Sequence, residues 1–331
     1  MPVIYQKIVA LMGLCCLCLS LSGQHSRFDR LLTPSDTLNK KRLLWLGASG
    51  TLAYSAASYG LYQTWYKDYP MGKFRFFDDR GEWEDVDKYG HFFTAYTESY
   101  LAFRGAQWTG IRHKPAVWIG AGVGTLLQTT VEVFDGFSER WGFSLADAAA
   151  NTAGVALFTS QELLWREQRI LLKVSNTRPQ YSDEDYYPKD SDVRMSEQQI
   201  ADAMYGSNIF EAFLKDYNGM TIWASVNPAS FLPSDQRILP DWLNIAVGYG
   251  ADNVFGAYGN AYTDPNGNVY RLPDRIRTRQ YYLSLDVDLA KIETDSQILK
   301  TLFETFRWVK FPAPTLEWTN QGGFTAHPFY W

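Results

Sequence analysis

Between Asp87 and Gly154 the chain sets charged and hydrogen-bonding residues at helical intervals inside segments otherwise built from Ala, Gly, Phe, Tyr and Leu. The stretch reads Asp87-Lys88-Tyr89-Gly90-His91, then Glu132-Val133-Phe134-Asp135-Gly136-Phe137-Ser138, then Trp141-Gly142-Phe143-Ser144, then Asp147, Asn151 and Gly154. A carboxylate or imidazole buried among apolar residues is costly unless it finds another side chain, a metal or a ligand. Asp87 and His91 stand four apart, with Glu98 two turns further on; Glu132 and Asp135 stand three apart, and Asp147 and Asn151 four apart. Each set shares one face of its helix. Three facing helices that each present a polar pair to a common interior are how bundles assemble metal and proton-transfer sites.

The residue types allow three readings: a metal or acid–base centre, ligand binding without chemistry, and a structural cluster. His91, Glu132 and Asp135 are candidate ligands for a divalent metal such as Zn, Mn or Fe. Without a metal, His91 with Asp87, Glu132 and Asp135 has the composition of a general acid–base centre. The segment between the helices, Gly136 to Phe143, lies over the site, so Ser138 and Trp141, with Asp147 and Asn151, are candidate contacts for a bound head group. The third reading is structural: Asp87 caps its helix, His91 bonds Glu132 or Asp135, Asp147 supports the start of its helix, and Asn151 makes a packing hydrogen bond. The residues alone leave all three open.

The first 23 residues have the form of a secretory signal peptide: Lys7, an apolar run from Ile8 to Leu21, and small residues at Ser20, Ser22 and Gly23. All three cysteines (Cys15, Cys16 and Cys18) fall inside it, so cleavage leaves a chain without disulfides or thiolate chemistry. None of them follows a small residue, which argues against lipidation. The formal charge of −5 and the lack of a basic stripe exclude nucleic acid as a natural partner. Aromatics make up 16% of the chain, a content suited to membrane interfaces and to carbohydrate clefts alike.

The expected organisation is α+β. A lead-in over 24–42 precedes a four-helix unit within 43–175, rich in small residues and either membrane-embedded or a buried soluble bundle. Its helices are read over 43–66, with no charge and a length that can cross a bilayer, 87–108, 114–134 and 144–172. Ser144 is placed as N-cap with Asp147 at the third helical position. Residues 176–196 form an acidic linker, and 197–331 a small antiparallel β region with one or two helices. Strands are read over 220–226, 242–249, 280–289 and 315–319, a turn at Asp264-Pro265-Asn266-Gly267, short helices near 197–205 and 208–215, and an amphipathic helix over 296–309. Gly248 to Asn253 reads as a loop. Arg271, Arg275, Arg277 and Arg279 form either a solvated face balancing the linker or a contact for anionic head groups. The aromatic terminus resembles the closing strand of an outer-membrane barrel, but four or five strands are too few for a complete one.

Taken in order, Asp87-Lys88-x-x-His91, Glu132-x-x-Asp135-Gly136-Phe137-Ser138, Trp141-Gly142-Phe143-Ser144, Asp147, Asn151 and Gly154 resemble the uncharacterised predicted periplasmic proteins typified by YfiM. They are more distantly similar to VanZ-like membrane proteins, whose pattern is Asp-Lys-x-x-His, a later Glu, then Asp-x-x-x-Asn-x-x-Gly. The resemblance covers about residues 43–165. It implies an envelope location and a helical fold, with no established reaction; VanZ-like proteins are associated with glycopeptide resistance and envelope lipid or glycan physiology. The signal-like start and the long β region depart from that group. The expectation is an exported protein, periplasmic or membrane-associated, whose polar site is structural or binds a lipid or glycan head group. The alternatives are a metal-dependent or His-carboxylate hydrolase of an envelope lipid, phosphate ester or glycan precursor, and a component of an outer-membrane assembly.

Overall fold

The computed structural model describes residues 27–67, 69–189 and 192–331. The signal-like segment lies outside them. A short helix α1 (Arg27–Leu32) and a long helix α2 (Lys40–Leu61) lead into a π turn at Tyr62–Tyr66. Helices α3 (Val86–Trp108), α4 (His113–Phe137) and α5 (Leu145–Leu164) follow. The six-stranded sheet comprises β1 (Ile170–Asn176), β2 (Met220–Val226), β3 (Leu243–Asp252), β4 (Thr278–Val287), β5 (Ala313–Thr319) and β6 (Phe324–Tyr330). Helices α6 (Glu197–Tyr205), α7 (Ile209–Lys215) and α8 (Gln297–Thr305) lie in its connections. The architecture is α+β.

Three helices, not four, make the packed unit. Helices α3, α4 and α5 lie against one another, and their approach is close because small residues line the contact. A Cβ on Gly124 would stand 2.1 Å from Ser99 Oγ, and one on Gly154 2.3 Å from Phe92 O, so only glycine fits either place. The fourth expected member, α2, has no buried residue and touches the others through Tyr54 OH, 2.8 Å from Thr130 Oγ1, Leu46 beside Gly105, and Arg42, which donates to Trp108 O at 3.1 Å and lies over its ring. Its apolar residues point outward, with Leu44, Trp45 and Leu52 all exposed. By length and composition, α4 is the one helix among the described residues that is apolar enough to cross a membrane; the Ser, Thr, Gln and Tyr content of 43–66 dilutes that stretch.

The last helix of the unit stops at Leu164, eight residues before the expected Leu172. Arg166 takes a left-handed conformation (φ 56), and the Gln161 side chain accepts from the backbone N–H of both Arg169 and Ile170, which turns the chain into β1. Residues 170–176 therefore join the sheet. The acidic segment is tied down at points: Asp185–Tyr186 pairs with Met195–Ser196, and Tyr186 is buried beside Ile200 and Tyr205. Gly248 to Asn253, read as a loop, continues β3 to Asp252. The turn at Asp264 to Gly267 closes a small hairpin, Ala261–Thr263 against Val269–Arg271.

The strands follow one another in space as they do in sequence, all antiparallel. Val309, just ahead of β5, also bridges Val174 of β1, so the sheet curls back on itself. Helix α3 covers the outer face of β1 and β2, where Leu172 and Ala224 pack on Tyr96, Tyr100, Phe103 and Phe158. That contact fixes the helical unit on the sheet and brings β2 residues to the edge of the polar cluster.

Candidate functional site

Helix α3 begins after a turn in which Trp83, Glu84 and Asp85 are all left-handed (φ 52, 55 and 62). Three such residues in a row are strained and persist only where surroundings hold them. Here Glu84 receives Arg277 and Arg279, each at 2.7 Å, Asp85 receives Arg279 at 3.1 Å, and Trp83 N donates to Ala257 O at 2.8 Å. Of the four arginines read from sequence as a solvated or lipid-facing cluster, Arg277 and Arg279 thus clamp this turn, Arg275 pairs with Glu184 and Glu197, and Arg271 lies on the small hairpin. The turn sets the first residues of α3, and with them Asp87, Lys88 and His91.

Lys88 is the centre of the cluster. Its Nζ lies 2.7 Å from Asp79 Oδ2, 3.0 Å from Asp87 Oδ2 and 2.7 Å from Asp147 Oδ1. The last contact is an ion pair without hydrogen-bond geometry. Asp79 comes from outside the helices: Phe76–Phe77 pairs in parallel with Phe143–Ser144, which brings Ser144 Oγ to donate to Asp79 Oδ1 at 2.6 Å. Ser144 Oγ also accepts from Asp147 N at 3.0 Å, the expected N-cap.

His91 faces the other oxygens of the same two acids. Its Nε2 stands 3.9 Å from both Asp87 Oδ1 and Asp147 Oδ2. Behind the ring, Asn151 Nδ2 donates to Glu132 Oε1 at 3.1 Å, which orients Asn151 Oδ1 to accept from His91 Nδ1 at 3.2 Å. That fixes the proton on Nδ1 and leaves Nε2 turned toward the acids. Tyr217, from the turn before β2, donates to Asp87 Oδ1 at 2.7 Å. Asp135 takes a different partner, accepting from Tyr66 OH at 2.7 Å, and Glu98 accepts from Gln128 at 2.8 Å.

Electrostatics follow from this wiring. Burial disfavours the His91 cation, yet Asp87, Asp147 and Glu132 outweigh it and raise its pKa to about 9. Burial, with Asp87 nearby and Asp79 as hydrogen-bond partner, lifts Asp147 to about 8 against the pull of His91 and Lys88. Burial also raises Asp135 to about 7, opposed by the Tyr66 hydrogen bond, and Glu98 to about 7, opposed by Gln128. Asp87 and Asp79 go the other way: burial opposes ionisation, but His91 and Lys88 hold Asp87 down, and Asp147, Lys88 and Ser144 hold Asp79 down.

The cluster forms the polar wall of a cavity of about 370 Å³. Asp79, Asp87, His91, Glu98, Asp135 and Asp147 face it, among aromatic walls that include Trp65, Tyr66, Trp83, Trp141 and Tyr217. No Arg or Lys lines it among the described residues. Glu132 and Asn151 border a smaller cavity of about 100 Å³ on the far side of the His91 ring's partners.

The residues expected from sequence therefore divide. Asp87, His91, Glu132, Asp147 and Asn151 meet. Asp135 and Trp141 share the cavity without touching His91. Ser138 is buried in the turn after α4, where its Oγ accepts from Arg140 N at 3.2 Å, and it does not line the cavity. As a ligand set, the structure gathers Asp87, His91 and Asp147, whose ligand atoms all lie within 4.8 Å of one another, in place of His91, Glu132 and Asp135. Sequence reasoning passed over Lys88, although it sits within the Asp-Lys-x-x-His pattern. It also passed over Asp79 and Tyr217, which only the tertiary fold brings in.

Residues 75–161 match the family described as a predicted periplasmic lipoprotein (DUF2279). The match contains the Asp79 segment, the whole of α3 and α4, and α5 as far as residue 161. No curated protein and no solved structure matches the chain. The protein is exported, periplasmic or membrane-associated in the cell envelope, and similar to an uncharacterised periplasmic family.

Proposed function

We propose that this envelope protein holds a divalent metal between Asp87, His91 and Asp147, and that the cavity beside it receives the head group of an envelope lipid or glycan. The observation that carries this reading is the His91 arrangement: Nδ1 is committed to Asn151, and Nε2 is aimed at two carboxylate oxygens across 3.9 Å. A histidine tied down at one nitrogen by an outer partner, with the other free, is the usual preparation for metal ligation. His91 Nε2 stands 3.9 Å from each carboxylate oxygen, a separation that two bonds of about 2.0–2.2 Å to one ion can span. Three protein ligands beside an open cavity leave a position for water or substrate, the arrangement of hydrolytic sites. The finer kinship with YfiM-type and VanZ-like proteins belongs to this reading and rests on the order of Asp87, Lys88, His91, Glu132, Asp147, Asn151 and Gly154.

A second reading is favoured by Lys88. Its contacts with all three aspartates, together with a protonated His91, compensate the acids without a metal, and the cluster is then a structural clasp between α3 and α5. Equilibrium dialysis against Zn²⁺ and Mn²⁺ with elemental analysis separates the two. One metal per chain is expected in the wild type and none in Asp147→Asn, with circular dichroism unchanged. A folded wild type that retains neither metal at micromolar free concentration establishes the clasp.

A further inference from the structure

The inward face of the sheet encloses charged and hydroxyl groups beside the cluster of Trp223, Ala246 and Tyr282. Cross-strand register puts Lys173, Trp223, Gly248, Tyr282 and Glu317 in one inward row, and Leu171, Ser225, Ala246, Ser284 and Thr315 in the next. Inside lie the Lys173–Asp286 ion pair at 2.7 Å, with both side chains fully buried, the Ser225–Asp286 hydrogen bond at 2.6 Å and the buried Lys310. The outward rows are apolar throughout. One is Leu172, Ala224, Val247, Leu283, Leu316 and Ala326; another is Val174, Ile222, Tyr249, Tyr281, Trp318 and Phe324; Ile245 and Leu285 stand in the third.

Helix α3 covers the β1–β2 end of these rows, where Leu172, Val174 and Ile222 are buried. In β3 it reaches Tyr249, which is buried against Tyr89, and among the described residues nothing covers the rest of these rows. Ile245, Val247, Tyr281, Leu283, Leu285, Leu316, Trp318 and Phe324 are 37% to 59% exposed, and no charge interrupts them. Lying in adjacent rows, they make a contiguous apolar patch of the kind that marks a protein or membrane interaction surface.

We infer that this outer face of β3 to β6 lies against the hydrocarbon of a lipid bilayer. Charged and hydroxyl groups turned inward with apolar side chains turned outward is the arrangement that hydrocarbon, unlike water, selects. Position along β4 supports the same occupant. Arg279, paired to Glu84 and Asp85, is followed outward by Tyr281 beside Trp318 and Phe324, and then by Leu283 and Leu285. Charge, then aromatic ring, then aliphatic chain is the order met on passing from head groups into acyl chains. The inference is independent of the metal, since none of these residues borders the His91 cavity.

Single cysteines at Val247, Leu283 and Leu316, with Cys15, Cys16 and Cys18 changed to Ser, report on the face directly; Thr263→Cys, exposed on the small hairpin, is the control. Each is labelled with an environment-sensitive fluorophore and mixed with phosphatidylcholine–phosphatidylglycerol vesicles. The inference expects blue-shifted emission with a several-fold rise at the three sheet positions, quenched by brominated acyl chains, and no change at 263. Circular dichroism confirms folding, and Ile245→Cys substitutes for any variant that fails it. Labels that stay in water while vesicles are present overturn the inference, whether or not the chain is captured through another part. A blue shift that needs no vesicles and grows with protein concentration also overturns it, and gives the face to a second copy of the chain.

Discussion

Replacing Lys88 with Met tests the wiring of the site most directly. The ammonium lies 2.7–3.0 Å from three carboxylates, its side chain is 13% exposed, and Met retains most of its stem volume. Removing one partner of a buried ion pair costs about 3–5 kcal/mol, because the other partner stays buried and charged. Three acids do not triple that figure, because losses at groups sharing one partner are not additive and the Asp147 contact lacks hydrogen-bond geometry. The loss falls on Asp79 and Asp87, and about 3 kcal/mol at pH 7 is the expected result. The size of the loss depends on pH. In the wild type Asp79 and Asp87 are held below their ordinary values, so they contribute stability that is present above the unfolded carboxylate pKa and lost as pH falls. Without Lys88 they rise, and the variant regains stability as they take up protons. Urea unfolding followed by circular dichroism at pH 7 and pH 5 should show the gap between the two proteins narrowing toward acid. A gap below about 0.5 kcal/mol at pH 7, the scale of an ordinary surface substitution, refutes the assignment of Lys88 as counter-ion. So does an equal gap at both pH values.

In the metal-free protein, proton NMR of His91 should show the ring charged through pH 7 and deprotonating near 9, and Asp87→Asn should move that transition down; a transition at the ordinary histidine value contradicts the geometry. Because the folded pKa is raised, the stability His91 contributes is complete below the unfolded value of about 6.5 and is lost as pH rises through about 9, which thermal melts of wild type and His91→Gln between pH 6 and 10 can resolve. Gly154→Ala should destabilise by about 1–3 kcal/mol, since its Cβ meets Phe92 O at 2.3 Å. Gly122→Ala, in open space on the same helical unit, should instead stabilise by up to about 1 kcal/mol, and equal effects in urea titrations would show that the α3–α5 contact is not tight.

The part of the site carried by helical spacing was legible in the sequence. Asp87 and His91 share a face of α3, and Asp147 and Asn151 share a face of α5, because i,i+4 spacing and the Ser144 cap determine both the helix and its phase. Asp79 was not legible, because its place depends on two residues of parallel pairing with the chain before α5. Nor was the partner of Asp135. Spacing puts Asp135 on the face of Glu132, but Tyr66, sixty-nine residues earlier and on a π turn, accounts for its hydrogen bond. The end of α5 was missed for a local reason. Residues 165–172 keep good helix formers, and only the side chain of Gln161, folding over to take two backbone N–H groups, diverts the chain into β1.

The sheet shows a deeper limit of pattern reading. Period-two alternation says that the two faces of a strand meet different surroundings, and β4 displays it plainly in Tyr281, Leu283 and Leu285 against Tyr282, Ser284 and Asp286. It does not say which face is inside; that step borrows the assumption that water lies outside. For β1 and β2 the assumption holds on the outer face only because α3 supplies a cover for Leu172 and Ala224. In β3 to β6 Tyr249 alone of the outward rows is covered, by Tyr89, among the described residues, while Lys173, Asp286 and Lys310 are enclosed on the other side with their hydrogen bonds satisfied. A chain folding toward water would gain by exchanging those faces, and a one-residue slip in register would accomplish it. The register runs unbroken instead from Thr278↔Asp252 to Val287↔Leu243, ten consecutive pairs between β3 and β4. Alternation this regular, with the charge held inside, is what a sequence adapted to an apolar exterior would specify. That places the same demand on both halves of the molecule: polar groups are gathered inward, around Lys88 in the helices and around Asp286 in the sheet, and what remains outside suits an envelope surface.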